Sequence, residues 1–306
     1  MSVFKKFISK IIKKIFYEEI EKILINKGKI LSLKQSKFKK IKNISDVEFR
    51  VFSQWGEDGI IDWVINQIPN ISKNFIEIGT EDFKEANTRF LLMNKNWDGV
   101  LIEGDKNYVE NIKKDRIYWK HNIKVINEFV NLSNIDNIIS NLKLKKEIGL
   151  ISLDIDGIDY WILKKLKLLK PGIFICEFNP LFGYEKSLTV PYKKKFIRSK
   201  EHYSNSYFGA SLRAIIKLLN KEYLFIGTNS AGNNAFFINK RHSKYIKNNI
   251  INKKIFKSKF RESRNKIKKL NYLSSKENIN TIKNKKLFDL EKNKILKIEQ
   301  IFNEKK

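Results

Sequence analysis

Acidic side chains stand at the ends of short apolar runs through the middle of this chain. The run from Asn74 closes on Glu77-Ile78-Gly79-Thr80, and the run from Asp98 closes on Glu103-Gly104-Asp105. Gly79 lets the backbone turn tightly and come close to a ligand. An acid at the second position can accept both hydroxyls of a ribose as a bidentate pair. The 24 residues from Gly79 to Glu103 approach the roughly 20 seen in dinucleotide folds. A complete G-x-G-x-x-G is absent, so a pyrophosphate-binding turn has little support. That favours adenosylmethionine, a nucleoside without phosphate, over NAD.

A later run closes on Asp154-Ile155-Asp156-Gly157-Ile158-Asp159, three carboxylates within six residues. Such crowding is costly unless a cation, a substrate amine or hydroxyl, or a helix N-terminus offsets it. Asp156 or Asp159 can cap a helix opening near Tyr160, while alternation puts Asp154 at the strand tip. A hard divalent metal suits clustered carboxylates, with Asp154 and Asp156 as its candidate ligands. The spacing is not that of an EF-hand, because Lys165 stands where the closing glutamate belongs.

The fifth run closes on Glu177-Phe178-Asn179-Pro180. With Leu181 and Phe182 it is similar to the N-P-P-aromatic motif of amino-methylating enzymes. It follows the wrong strand and lacks the second proline, which argues against methylation of DNA bases. His121, His202 and His242 have no ligand-like spacing. His202 lies in a polar loop, Ser199 to Ser206, placed to overhang a site, where it is either a general base or a solvated histidine. Glu177, Asn179 and His202 are therefore the candidates for acceptor contacts.

These residues need a frame that brings strand ends together. Apolar runs at 74–79, 98–104, 123–130, 149–156 and 172–179 alternate with helical patterns, which implies parallel βαβ units. Tyr223 to Thr228 and Asn234 to Asn239, separated by a short turn, read as an antiparallel hairpin closing the sheet edge. The expected fold is α/β, a Rossmann-like doubly wound sheet, mostly parallel with a C-terminal antiparallel hairpin, plus flanking helices. Three segments follow: a basic N-terminal helix and connector at 1–44, the α/β domain at 45–240, and a lysine-rich helical extension at 241–306.

Charge divides along the same lines. Residues 1–44 hold 13 Lys and Arg against 3 Asp and Glu, residues 240–306 hold 22 against 6, and the middle holds 27 against 24. The net +29 therefore sits in the flanks, as either a functional basic surface or a lysine-biased composition. Phe4, Phe7, Ile8, Ile11, Ile12, Ile15 and Phe16 recur at helical spacing opposite Lys5, Lys6, Lys10, Lys13 and Lys14. That amphipathic helix, residues 3–24, either packs on the domain or on a partner subunit, or makes peripheral contact with a membrane interface. Residues 25–44 read as a polar connector. In the extension, Leu287, Leu290, Ile295, Ile298 and Ile301 give weak helical periodicity for one or two helices. No apolar stretch reaches the roughly 18–20 residues of a membrane span, and lysines interrupt any secretory signal. The cytoplasm is the expected location, with the inner face of the membrane as the variant that the N-terminal helix suggests. One cysteine, Cys176, excludes an internal disulfide framework.

Together several segments resemble the FkbM-like, SAM-dependent methyltransferases of class I, whose sheet is five parallel strands finished by a hairpin. The matching pieces are SQWGEDG (53–59), FIEIGTEDFKEANTRFLL (75–92), WDGVLIEGD (97–105), ISLDIDGIDYWIL (151–163), CEFNP (176–180), VPY (190–192), YFGASL (207–212) and GTNSAGNNAFFI (227–238). The resemblance implies that Glu77, Gly79 and Glu103 contact adenosylmethionine. It implies that Gln54, Glu57 and Asn87 line the same pocket, and that Asp154 and Asp156 face the methyl group and acceptor. Lys84 and Glu85 depart from the small residues common after the first strand.

The implied activity is O-methylation of a small-molecule or glycan acceptor, as in surface-polysaccharide or glycoconjugate biosynthesis. Asp154 or Asp156 would take the hydroxyl proton, or a divalent ion would lower the acceptor pKa. The basic flanks raise a second reading, a nucleic-acid methyltransferase, against which the near-neutral middle argues. A third is a non-catalytic protein of the membrane surface.

Overall fold

The apolar runs form strands. In the computed structural model, which describes residues 3–144, 147–258 and 261–303, β1 (Asn74–Ile78), β2 (Asp98–Glu103), β3 (Ile123–Asn127), β4 (Leu150–Leu153) and β5 (Ile173–Glu177) pair in parallel. A short β6 (Leu188–Thr189) lies outside this sheet. β7 (Tyr223–Thr228) and β8 (Asn234–Asn239) form the expected hairpin, and β8 runs antiparallel to β5. The sheet order is β3-β2-β1-β4-β5-β8-β7. β4 is buried at all four positions. A strand covered on both faces needs a continuous apolar run rather than alternation, and Leu-Ile-Ser-Leu nearly supplies one.

Three helices cover or approach one side of β1 and β2: α1 (Val3–Gln35), α2 (Glu57–Gln67) and α3 (Arg89–Lys95). Ile60, Trp63 and Val64 of α2 pack with Phe75, Leu101 and Ile175 of the sheet. On the other face the helix Asp159–Leu166 packs Ile162 and Leu166 with Ile151 and Phe174. The chain runs from β1 outward to β3 on one side and from β4 outward on the other. The reversal therefore falls between β1 and β4, where open α/β sheets bind ligands beyond their carboxyl ends.

α1 runs past the expected end near residue 24 and takes in much of the expected connector. Polar ties hold the added turns. Ser32 Oγ donates to Asp62 at 2.7 Å and Gln35 Nε2 donates to the same carboxylate at 3.0 Å. Arg89 and Arg116 each donate to Glu21 at 2.5 Å. Burial alone would raise the Glu21 carboxyl, but the hydrogen bonds from Arg116 and Arg89 hold it below the ordinary range. Side chains that look like linker composition are thus anchors. The apolar positions Phe4 to Ile15 lie outside the residues whose side chains are described.

The lysine-rich extension holds more than helices. β9 (Lys286–Asp289) pairs with β6 and with β10 (Lys294–Lys297), between the short helices Ser275–Thr281 and Ile298–Asn303. Leu287 and Ile298 are fully buried while Ile295 is exposed. Asn293 takes a left-handed backbone in the connecting turn, which breaks the helical reading of that stretch. Among the described residues no helix is long and apolar enough to cross a membrane.

Candidate active site

At the β1–β4 reversal the chain encloses a cavity of about 790 Å³, within the range of small-molecule sites. Its wall includes Gln54, Glu77, Gly79, Thr80, Asn87, Glu103, Asp105, Asp154, Asp156 and Glu177, so the fold gathers ten of the sequence candidates in one place. Four others face elsewhere, and each has a local partner that accounts for it.

The first wall is the turn after β1. Gly79 has φ +82°, and a Cβ there would lie 1.6 Å from the carbonyl oxygen of Asp154. Only glycine permits this approach. Glu103 Oε2 accepts from the backbone N–H groups of Thr80 (3.1 Å) and Glu81 (2.9 Å), and its Oε1 accepts from that of Asp105 (2.8 Å). One carboxylate thus ties the ends of β1 and β2 together at the cavity mouth. Asp105 caps the helix Lys106–Lys114 through the Asn107 N–H at 2.7 Å.

Glu77 is buried. It accepts from the N–H groups of Asn87 (2.9 Å) and Thr88 (3.1 Å) and from the Thr88 hydroxyl. Burial pushes its carboxyl up to about 7 against the pull of Thr88 and Asn87. Asn87 in turn donates to Ser152 Oγ of β4 at 3.0 Å. Glu77 and Asn87 therefore shape the cavity floor as a linked pair.

The far wall carries the acids after β4 and β5. One carboxylate oxygen each from Asp154, Asp156 and Glu177 lies within 4.8 Å of the others. Burial, then the charges of Asp156 and Asp159, push Asp154 well above the usual carboxylate range. Burial, then Asp154, does the same to Glu177. Glu177 Oε2 is buried with no hydrogen-bond partner in the protein. Two such carboxyls are stabilised by a shared proton or by a divalent cation, and the three oxygens lie close enough together to hold such a cation. Asp156 holds φ +52° and pairs with Arg198, which also pairs with Glu262 of the extension and stacks 3.8 Å from the Phe208 ring centre.

The remaining candidates are structural neighbours of the cavity. Glu57 is fully buried and accepts from the side-chain amides of Asn229 (2.7 Å) and Asn234 (2.8 Å). Asp159 accepts from the N–H groups of Ile155 and Gly157, both at 2.9 Å, closing its own turn; burial pushes it to about 6. Asn179 holds the Ser206 and Phe208 carbonyls at 3.1 and 3.0 Å. His202 bonds Ser204 Oγ at 2.8 Å and does not reach the cavity wall.

Sequence reasoning missed Arg198, Tyr108, Phe129 and Glu262, all on the wall. Arg198 had one available signal, since a crowd of acids requires a cation. Glu262 had none, because its position depends on how the extension folds back.

No family model matches the chain, and no curated protein does. Solved structures give distant likenesses. The pyocyanin biosynthetic protein PhzM superposes with TM-score 0.34 at 10% identity, over 59% of this chain and 56% of PhzM. The PH0226 protein from Pyrococcus horikoshii gives 0.33 at 12%, over 55% and 82%. The N-terminal domain of EvdMO1 with SAH bound gives 0.39 at 9%, over 57% and 77%. These scores are too low to transfer chemistry, and the chain spans little more than half of PhzM.

Proposed function

We propose that this chain is a SAM-dependent methyltransferase acting on a hydroxyl of a sugar or related glycan acceptor. The observation that carries the reading is the cavity at the β1–β4 reversal, with Gly79 opening one side and carboxylates at three further strand ends. A phosphate-binding glycine turn is absent there, whereas an acid at the end of the second strand, Glu103, lines the cavity. Tyr108 and Phe129, the latter 43% exposed, offer aromatic faces for an adenine beside it.

Adenosylmethionine supplies an electrophilic methyl group on a sulfonium. Glu103 would hold the ribose hydroxyls, and the acids of the far wall would offset the positive sulfur. The acceptor oxygen bonds to the methyl carbon as the carbon–sulfur bond breaks, its electron pair staying on sulfur. Positioning supplies most of such a rate gain. Asp154, on the cavity wall, takes the hydroxyl proton when it is ionised, whereas the Asp156 carboxylate is engaged by Arg198. Asp154, Asp156 and Glu177 would hold a divalent ion if one is used, which would lower the acceptor pKa.

Isothermal titration with adenosylmethionine, followed by transfer of radiolabelled methyl to a panel of sugars, tests both steps. Binding without transfer to any hydroxyl acceptor, but with transfer to RNA or DNA, would replace the acceptor class.

A further inference from the structure

The lysines that crowd both ends of the sequence meet in the fold. Residues 41–42 and 249–252, within the stretches 36–42 and 247–257, run side by side, although some 200 positions apart in the chain. Ile41 N–H donates to the Asn249 carbonyl at 2.9 Å, Ile251 N–H to the Ile41 carbonyl at 3.1 Å, and Asn252 N–H to the Lys42 carbonyl at 2.7 Å. Ile41 and Ile250 are each 6% exposed and anchor the seam inward. Alternation about them turns Lys40, Lys42 and Ile251 outward.

The two stretches carry eight lysines, all exposed, and no Asp or Glu. Burial, and after it the charge of Lys247, pushes the Lys253 ammonium below its ordinary range. Among these lysines Phe38, Ile251 and Ile255 are 42%, 70% and 39% exposed. Upstream, Phe16, Ile20, Ile23 and Ile30 lie open on α1, on the side away from the buried Glu21, Gly28 and Ser32. Large apolar side chains among lysines are costly unless something apolar covers them.

We infer that this seam docks on an anionic membrane surface, its lysines at the headgroups and its isoleucines and phenylalanine in the interface. Phosphates of nucleic acid would attract the same lysines. Nothing in these stretches suits base recognition, however: they hold no arginine, and their exposed apolar groups are mainly aliphatic. The inference is independent of the methyl-transfer reading.

The test is sedimentation of the full chain with phosphatidylcholine vesicles, with and without phosphatidylserine. Binding should require phosphatidylserine and fall as salt rises. Replacing Lys39, Lys40, Lys253 and Lys254 together by Gln should weaken it about a hundredfold. Ile251→Asn with Ile255→Asn should weaken it about tenfold while leaving the charge intact. These positions are exposed, so circular dichroism and adenosylmethionine binding should stay unchanged. Equal sedimentation with both vesicle types, or none with either, would overturn the inference. So would RNA binding that is tighter than vesicle binding and insensitive to the isoleucine changes.

Discussion

Gly79 and the carbonyl of Asp154 meet so closely that the first side-chain carbon of any other residue would sit 1.6 Å from that oxygen. This contact locks the ends of β1 and β4 and sets the cavity between them. Gly79→Ala must push the two strand ends apart and also strain a φ of +82°. We expect a loss of about 1–3 kcal/mol or more in stability and at least about tenfold weaker adenosylmethionine binding. Chemical denaturation and titration calorimetry check the pair of effects. An unchanged affinity would detach this turn from the ligand site.

The crowded carboxyls make stability and activity oppose each other. Asp154 and Glu177 are raised in the folded state above their ordinary unfolded values. The folded protein therefore binds more protons across that window. Their stabilisation is complete below the ordinary carboxylate range and is lost as pH rises through the raised folded values. Asp154→Asn should gain about 1–3 kcal/mol near pH 8 and flatten the pH dependence of the urea midpoint. The same variant should lose methyl transfer. If a divalent ion completes the site, magnesium or manganese should raise the Tm of the parent protein and not of the variant.

Glu57 acts at a distance from the cavity. Its Oε1 takes the amides of both Asn229 and Asn234, joining the N-terminus of α2 to the turn of the β7–β8 hairpin. Glu57→Ala removes the shared acceptor of these two buried amides and should cost about 2–4 kcal/mol. The loss should appear as a lower urea midpoint, with the affinity for adenosylmethionine reduced far less than stability.

Arg198 is the cation among the acids of the far wall, holding Asp156 and Glu262 together. Arg198→Ala should leave nucleoside binding nearly intact but slow transfer by at least about tenfold, because Asp156 and the extension lose their tie. A kcat effect without a matching change in adenosylmethionine affinity is the expected split.

The sheet was legible because parallel strands buried on both faces must be continuous apolar runs, and four of the five ended in a residue with obvious chemistry. The hairpin was legible from its short polar turn. The site was legible at the level of strand ends, where Gly79, Glu103 and Asp154 converge on one cavity. Periodicity could not reveal the use of each acid. Glu57 and Asp159 look as reactive as Asp154 in sequence, yet the hairpin's amides occupy Glu57 and the N–H groups of its own turn occupy Asp159. The length of α1 was hidden because its last turns are held by buried polar ties, which mimic linker composition. In the extension β9 was hidden because one of its partners is the distant β6.

The central claim is that strand-end acids grip a sulfonium nucleoside at the β1–β4 reversal. Titration calorimetry of adenosylmethionine against the parent chain and Glu103→Ala tests it most directly. Micromolar binding that weakens by about tenfold or more in the variant is the predicted result. No heat from the folded parent, or equal affinity in both proteins, would contradict it.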